Sequence, residues 1–204
     1  MRIHRRRTDA PARRPSRGQS LVEFALVIPI FITLVVAICE FAFLFTTYLS
    51  ASFTSRDAVQ VAAEMGDAYY SDVVILTRVE MDLAGPANSN NIQYIDIFWS
   101  DTAGNVQGGA LNRWARTGST SETLPNGDTL TVPYQQIQSG YPPESRCNIL
   151  LATECDFGHT TLDTIGITIT YQYSWVTPLP GLVGMSSTGM TITQTNVMRM
   201  EPVK

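Results

Sequence analysis

Charge is scarce in this chain. Only 16% of its 204 residues are Asp, Glu, Lys or Arg, where a soluble domain carries about 25%. Histidine is scarcer still, with His4 and His159 the only two, and cysteine is limited to Cys39, Cys147 and Cys155. His159 near Cys155 and Asp156 hints at a metal site, but a tetrahedral zinc site takes four good ligands at recognisable spacings. Cys147, Cys155 and His159 make at most three, so the metal expectation is none and His159 reads as an exposed loop residue. A glycine-rich phosphate loop and a nucleophile motif are also missing. The reading is therefore of a protein that is not an enzyme and uses no cofactor.

The charge that is present is unevenly placed. Residues 1–17 hold seven arginines (Arg2, Arg5, Arg6, Arg7, Arg13, Arg14, Arg17) against one acid, Asp9, for a net +6. The remainder holds seven basic and seventeen acidic residues, for a net −10. A basic tail on an acidic body sometimes marks nucleic-acid binding. Single-strand binders interleave their cations with stacking aromatics, and these arginines have none among them, so no nucleic-acid partner is expected. They stop just before an apolar run, which is the pattern that fixes membrane orientation.

Phe24 to Cys39 carries no charge, Glu40 interrupts, and Phe41 to Leu49 is again apolar or weakly polar. A spanning helix needs about 20 mainly apolar residues. The alternative, a buried core helix, needs protein around its whole circumference, and the rest of the chain is too small and too polar to supply it. Seven arginines on one side place the N-terminus in the cytoplasm and the C-terminus outside. Beyond the span, Ala58, Ala62, Met65, Tyr69, Val73, Leu76, Val79 and Leu83 recur every three or four residues, one apolar face of a helix. The spacing predicts one helix, or two nearly collinear ones, from Gln19 to Leu83, about 95 Å long, with Pro29 and Gly66 as weak points.

The pattern then changes. Ile92 to Trp99 reads as a strand, Asp101 to Asn105 as a turn, and Leu124-Pro125-Asn126-Gly127-Asp128 as a hairpin turn. Thr164 to Val176 alternates with period two, Ile165, Ile167, Ile169, Tyr171, Tyr173 and Trp175 on one face, which marks a sheet with one buried side. Thr191 to Met200 is a last strand. The expected fold is α+β: a cytoplasmic leader over residues 1–18, a transmembrane helix over 19–50, an amphipathic continuation over 51–84, and an extracytoplasmic domain over 85–204 built on a small antiparallel sheet.

Glu23 sits just inside the apolar run, and an intramembrane carboxylate is by default a functional-site hypothesis. Its position alone fits an interfacial residue near a helix N-terminus equally well. Arg17-Gly18-Gln19-Ser20-Leu21-Val22-Glu23-Phe24-Ala25 resembles a prepilin processing site. The longer stretch through Pro29 to Glu40-Phe41 resembles the TadE family, pilin-like minor components of the tight-adherence (Tad, or Flp) pilus system. Ile167-Thr168-Ile169-Thr170-Tyr171, Thr177-Pro178-Leu179 and Val197-Met198-Arg199-Met200-Glu201 resemble the end of TadE-like proteins. The resemblance covers residues 18–63 and, more loosely, 165–202, and is absent between.

The resemblance implies cleavage between Gly18 and Gln19 by a prepilin peptidase, leaving Glu23 at the fifth mature position. The freed amine of Gln19 then becomes a cation able to pair with Glu23 of a neighbouring subunit and set the register of assembly. The implied partners are membrane lipids, the peptidase, other pilin-like subunits and the Tad machinery. The implied location is the bacterial cytoplasmic membrane or a pilus built from it. Glu40, 17 residues and about 25 Å beyond Glu23, is expected near the far headgroups, as an anchor or a helix-packing contact. Cys147 and Cys155, with seven residues between them, lie in an exported loop where an oxidising compartment favours a disulfide, contributing about 2–3 kcal/mol on the chain-entropy model. Two other readings remain at this level. One is an uncleaved single-pass binding module, which gives Gly18 and Glu23 no role. The other is a secreted protein cut near Ser50-Ala51-Ser52, although the apolar region exceeds the usual signal length of about 7–15 residues.

Overall fold

A computed structural model describes residues 17–83, 87–149, 155, 159, 161–182, 184, 186 and 188–202. The arginine-rich leader, apart from the backbone of Arg17, lies outside the described residues. Helix α1 (Arg17–Met65) runs 49 residues without a break, about 73 Å at the α-helical rise. It passes through Pro29. The ring removes one intrahelical donor there, and the Thr33 hydroxyl donates to the Pro29 carbonyl at 2.8 Å.

Two halves of α1 differ in what covers them. Residues 18–39 are exposed or partly exposed on every side. From Glu40 onward a stripe is buried: Glu40, Thr47, Ala51, Thr54, Ser55, Ala58, Val59, Ala62 and Ala63. These positions repeat at three- and four-residue spacing, so they line one face. Most are small, which lets the helix lie close against the sheet.

The helix does not continue straight past Met65. Gly66 takes a positive φ of 59°, the left-handed conformation that ends helices and that glycine adopts at least cost. Helix α2 (Ser71–Asp82) then doubles back on α1. Arg78 Nη2 lies 3.2 Å from Asp57 Oδ2, whereas 21 residues of straight helix would hold them about 30 Å apart. The collinear expectation is therefore corrected. Periodicity ran across the break because Ala58 and Ala62 on α1 and Val73, Leu76 and Val79 on α2 all face one core. Tyr69, counted on that face, is 59% exposed in the turn.

Seven strands follow among the described residues. A five-stranded antiparallel sheet has the order β5 (Gln135–Gln138), β2 (Val106–Ala115), β1 (Ile92–Ser100), β6 (Thr164–Tyr173), β7 (Met190–Arg199). β3 (Thr120–Thr123) and β4 (Thr129–Val132) form a separate hairpin around the Asn126-Gly127 turn. The inner face is set by register: Ile95 opposes Ile169, Ile97 opposes Ile167 and Trp99 opposes Ile165. The isoleucines, with Tyr171, Tyr173 and Ile192, form a core against α1 and α2. On the outer face Gly166 opposes Phe98. A Cβ at Gly166 would meet the Phe98 ring at 2.3 Å, so the missing side chain is what lets that ring lie over the strand. The α+β, pilin-like layout of one long apolar helix followed by a small antiparallel sheet is the one expected from the sequence.

Candidate assembly and anchoring site

The sequence-predicted residues occupy three places. Gly18, Gln19 and Glu23 lie in the first turns of α1, on the bare half, where the Gln19 side-chain amide donates to Glu23 Oε1 at 3.0 Å. A Cβ added at Gly18 would meet nothing within 4 Å, and no positive φ is found there. The fold gives no reason for glycine at this position.

Glu40 is held differently. It is only 5% exposed, although its neighbours Phe41 and Ile38 are more than half exposed. Its carboxylate accepts from the Tyr173 hydroxyl at 2.8 Å, from the Val176 backbone N–H at 3.0 Å and from the Thr177 backbone N–H at 2.7 Å. Burying a carboxylate is costly unless donors replace water, and three converge here. Burial and the adjacent Glu40 charge push the Tyr173 phenol well above its usual range, so it stays a donor. Glu40 is thus bound within its own chain, joining α1 to the segment that follows β6. The helix-packing contact expected of Glu40 is thus made within the chain rather than with a neighbour, and it leaves the interfacial reading open.

The cysteine pair lies at the other end of α1, beside the turn into α2. Cys147 and Cys155 are placed as a disulfide, with Cα atoms 5.6 Å apart, while Cys39 is free and exposed on the bare helix. Around Cys147 is a buried polar network. Asp163 accepts from the Tyr141 hydroxyl at 2.7 Å and the Cys147 N–H at 3.0 Å, and its second oxygen lies 2.5 Å from His159 Nδ1. His159 is 9% exposed and stacks on Trp99 with ring centroids 4.4 Å apart. This corrects the exposed-loop reading of His159, whose partner four residues on and whose ring neighbour 60 residues earlier gave no joint pattern in the sequence. Next to it, Arg146 pairs with Asp72, donates to Ser71 Oγ at 2.7 Å, and lies over the Tyr141 ring. Asn112 Nδ2 donates to Asp72 at 2.9 Å and to the Tyr141 carbonyl at 2.7 Å. Burial and the Asp163 charge raise the Tyr141 phenol far above its usual range, fixing it as a donor.

A second polar contact holds α2 to the sheet. Glu80 is bound by Arg116 and Tyr134. Burial alone would raise its carboxyl, but the hydrogen bonds from Arg116 and Tyr134 outweigh it and hold the group below its ordinary range.

The cysteine geometry carries a direct expectation. Thiol labelling of the denatured, non-reduced full chain yields one reactive cysteine, Cys39, and reduction raises the count to three. Three reactive thiols before reduction would contradict the bridge.

α1 is long and apolar enough to cross a membrane: its most apolar 18-residue window has a mean hydropathy of 2.8 and is 0% buried. A core helix of a soluble protein would be covered, and this one is not. No curated protein and no solved structure matches the chain. The model of one family does match, over residues 18–60 and not over the C-terminal strands. It is described as TadE-like protein, and the segment it matches, which runs from Gly18 through Glu23 and Glu40 onto the sheet-covered half of α1, is similar to that family.

Proposed function

We propose that this protein is a minor pilin-like subunit of a tight-adherence pilus system, anchored in the cytoplasmic membrane by the bare half of α1. A prepilin peptidase cuts it after Gly18, and it is held in register by Glu23. The single observation that carries the reading is the coincidence at one helix end. A TadE-like segment begins at Gly18, and that glycine has open space around it and an ordinary backbone. A glycine at that end, which the packing does not require, is accounted for by recognition in an extended peptidase site. Cleavage also removes the seven leader arginines, leaving a mature helix that begins one turn before Glu23.

Orientation follows from the same arginines, with the leader inside and the sheet domain outside. The test is the mature N-terminus. Sequencing of the chain recovered from membrane or pilus fractions is expected to begin at Gln19. A mature chain beginning at Met1 supports an uncleaved anchored module instead, and one beginning near Phe53 supports an ordinary signal peptide.

A further inference from the structure

Residues Thr164 to Met198 form a run of 35 without a single Asp, Glu, Lys, Arg or His. Half of that run is the strand pair β6–β7. The rest is the connection between them, and its first part does not turn away from α1. Trp175, Leu179 and Pro180 face Thr33, Ala37, Glu40, Phe41, Leu44 and Met190 across one open cleft of about 460 Å³. A four-residue helix, α3 (Leu179–Leu182), contributes Leu179 and Pro180 to its lining, and Val176, just before it in the chain, is 64% exposed.

The height of this cleft along α1 identifies what fills it. Counting from Leu21, the first apolar residue of the bare helix, Ala37 lies about 24 Å and Glu40 about 28 Å along the axis. A hydrocarbon core is about 30 Å thick. Thr33 and Ala37 therefore lie below the outer hydrocarbon boundary, and Glu40 lies at it. The connection that packs beside them is at the same depth. Its composition suits that place: an indole, a group favoured at the membrane boundary, with Leu179 and Pro180 lining the same cleft.

We infer that the Trp175–Leu182 connection is a second membrane contact, dipping into the outer leaflet beside α1, and that phospholipid acyl chains fill the cleft between them. The inference rests on the reading of α1 as a membrane span. It also gives the Glu40 contact a purpose. The backbone N–H groups of Val176 and Thr177 are drawn to the carboxylate, which satisfies an acid at the hydrocarbon boundary and sets the depth of the connection together. Lipid is favoured over a second protein chain because the cleft is continuous with the uncovered face of α1, and apart from Thr33 its lining offers as side-chain acceptor only the Glu40 carboxylate, which is already held within the chain.

Spin labels in reconstituted full chain test this. In a Cys39→Ala background, Leu179→Cys and Gly181→Cys place the label on the connection; a Cβ at Gly181 meets nothing within 4 Å. Ile30→Cys marks the span and Asn126→Cys the exposed hairpin. In vesicles of phosphatidylethanolamine and phosphatidylglycerol at high lipid excess, the ratio of oxygen to nickel-chelate accessibility at 179 and 181 is expected to be several-fold above that at 126, and to approach that at 30. Labels at 179 and 181 that resemble 126, while 30 is in lipid, overturn the inference and leave the anchor reading intact. Labels at 179 and 181 screened from both reagents also overturn it, since protein then fills the cleft. A nickel-accessible label at 30 overturns the anchor reading and the inference with it.

Discussion

Glu23→Gln is expected to leave the chain inserted and processed but largely absent from assembled pilus fractions. The substitution keeps the shape and hydrogen-bonding capacity of the side chain and removes only its charge. In the uncleaved chain the Gln19 amide already satisfies one carboxylate oxygen at 3.0 Å, an interaction a neutral amide retains in part. Under the proposed function, what the substitution destroys is the pairing of a carboxylate with a cation, the amine that cleavage would create on a neighbouring Gln19. A charge-assisted hydrogen bond is roughly twice as strong as a neutral one, and in hydrocarbon there is no water to replace it. Blocking cleavage with Gly18→Val removes the amine, so the two substitutions act on one step and their effects are non-additive. The measurement is incorporation into pili, or co-purification with other subunits, for each single variant and the double. Normal incorporation of Glu23→Gln would reduce Glu23 to a residue of the membrane boundary.

The second large effect is on stability. Arg146→Met is expected to lower the unfolding free energy by about 3–5 kcal/mol, the cost of leaving one partner of a buried ion pair alone. The Arg146 side chain is 0% exposed and that of Asp72 7%, so water does not compensate. The double variant Asp72→Asn with Arg146→Met removes both charges and is expected to recover a substantial part of the loss, because Asn retains a hydrogen-bonding partner for Asn112. Denaturant unfolding of the full chain in detergent, followed by tryptophan fluorescence, measures both. A single variant within about 1 kcal/mol of the parent, in the range of an exposed ion pair, would show that the network is solvated.

Legibility in the sequence followed physical cause. β6 was plain because one of its faces is wholly buried and the other polar. β1 and the Asn126-Gly127 turn were legible from sequence pattern and turn chemistry, while β7 alternates more weakly because most of it is exposed. β2 left no such trace: Gly108 and Gly109 both take positive φ. The register with β1 jumps there, from Phe98 opposite Leu111 to Ser100 opposite Val106, so alternation is lost. β5, Gln-Gln-Ile-Gln, is too short and too polar to register. The fold-back at Gly66 was hidden because a helical hairpin buries the same periodic face as a straight helix. At the site, Gly18, Gln19 and Glu23 were legible as a motif, since their spacing lies within one or two turns. The environment of Glu40 was not, because its partners lie 133 to 137 residues away. The TadE-like segment around Glu40-Phe41 and the Val176-Thr177 backbone nevertheless meet at that carboxylate.

α1 is fastened to the end of the chain at three heights. Glu40 binds Val176 and Thr177, Ser55 Oγ accepts from Asn196 Nδ2 at 2.6 Å, and the Ala63 carbonyl accepts from the Glu201 N–H at 3.0 Å. These fastenings span 23 residues of helix, about 35 Å. A tug along the helix axis therefore loads all three at once, as rivets in a lap joint share shear, whereas peeling would break them one by one. A load applied along the helix between its bare half and the sheet domain is thus met by fastenings spread over much of the covered half.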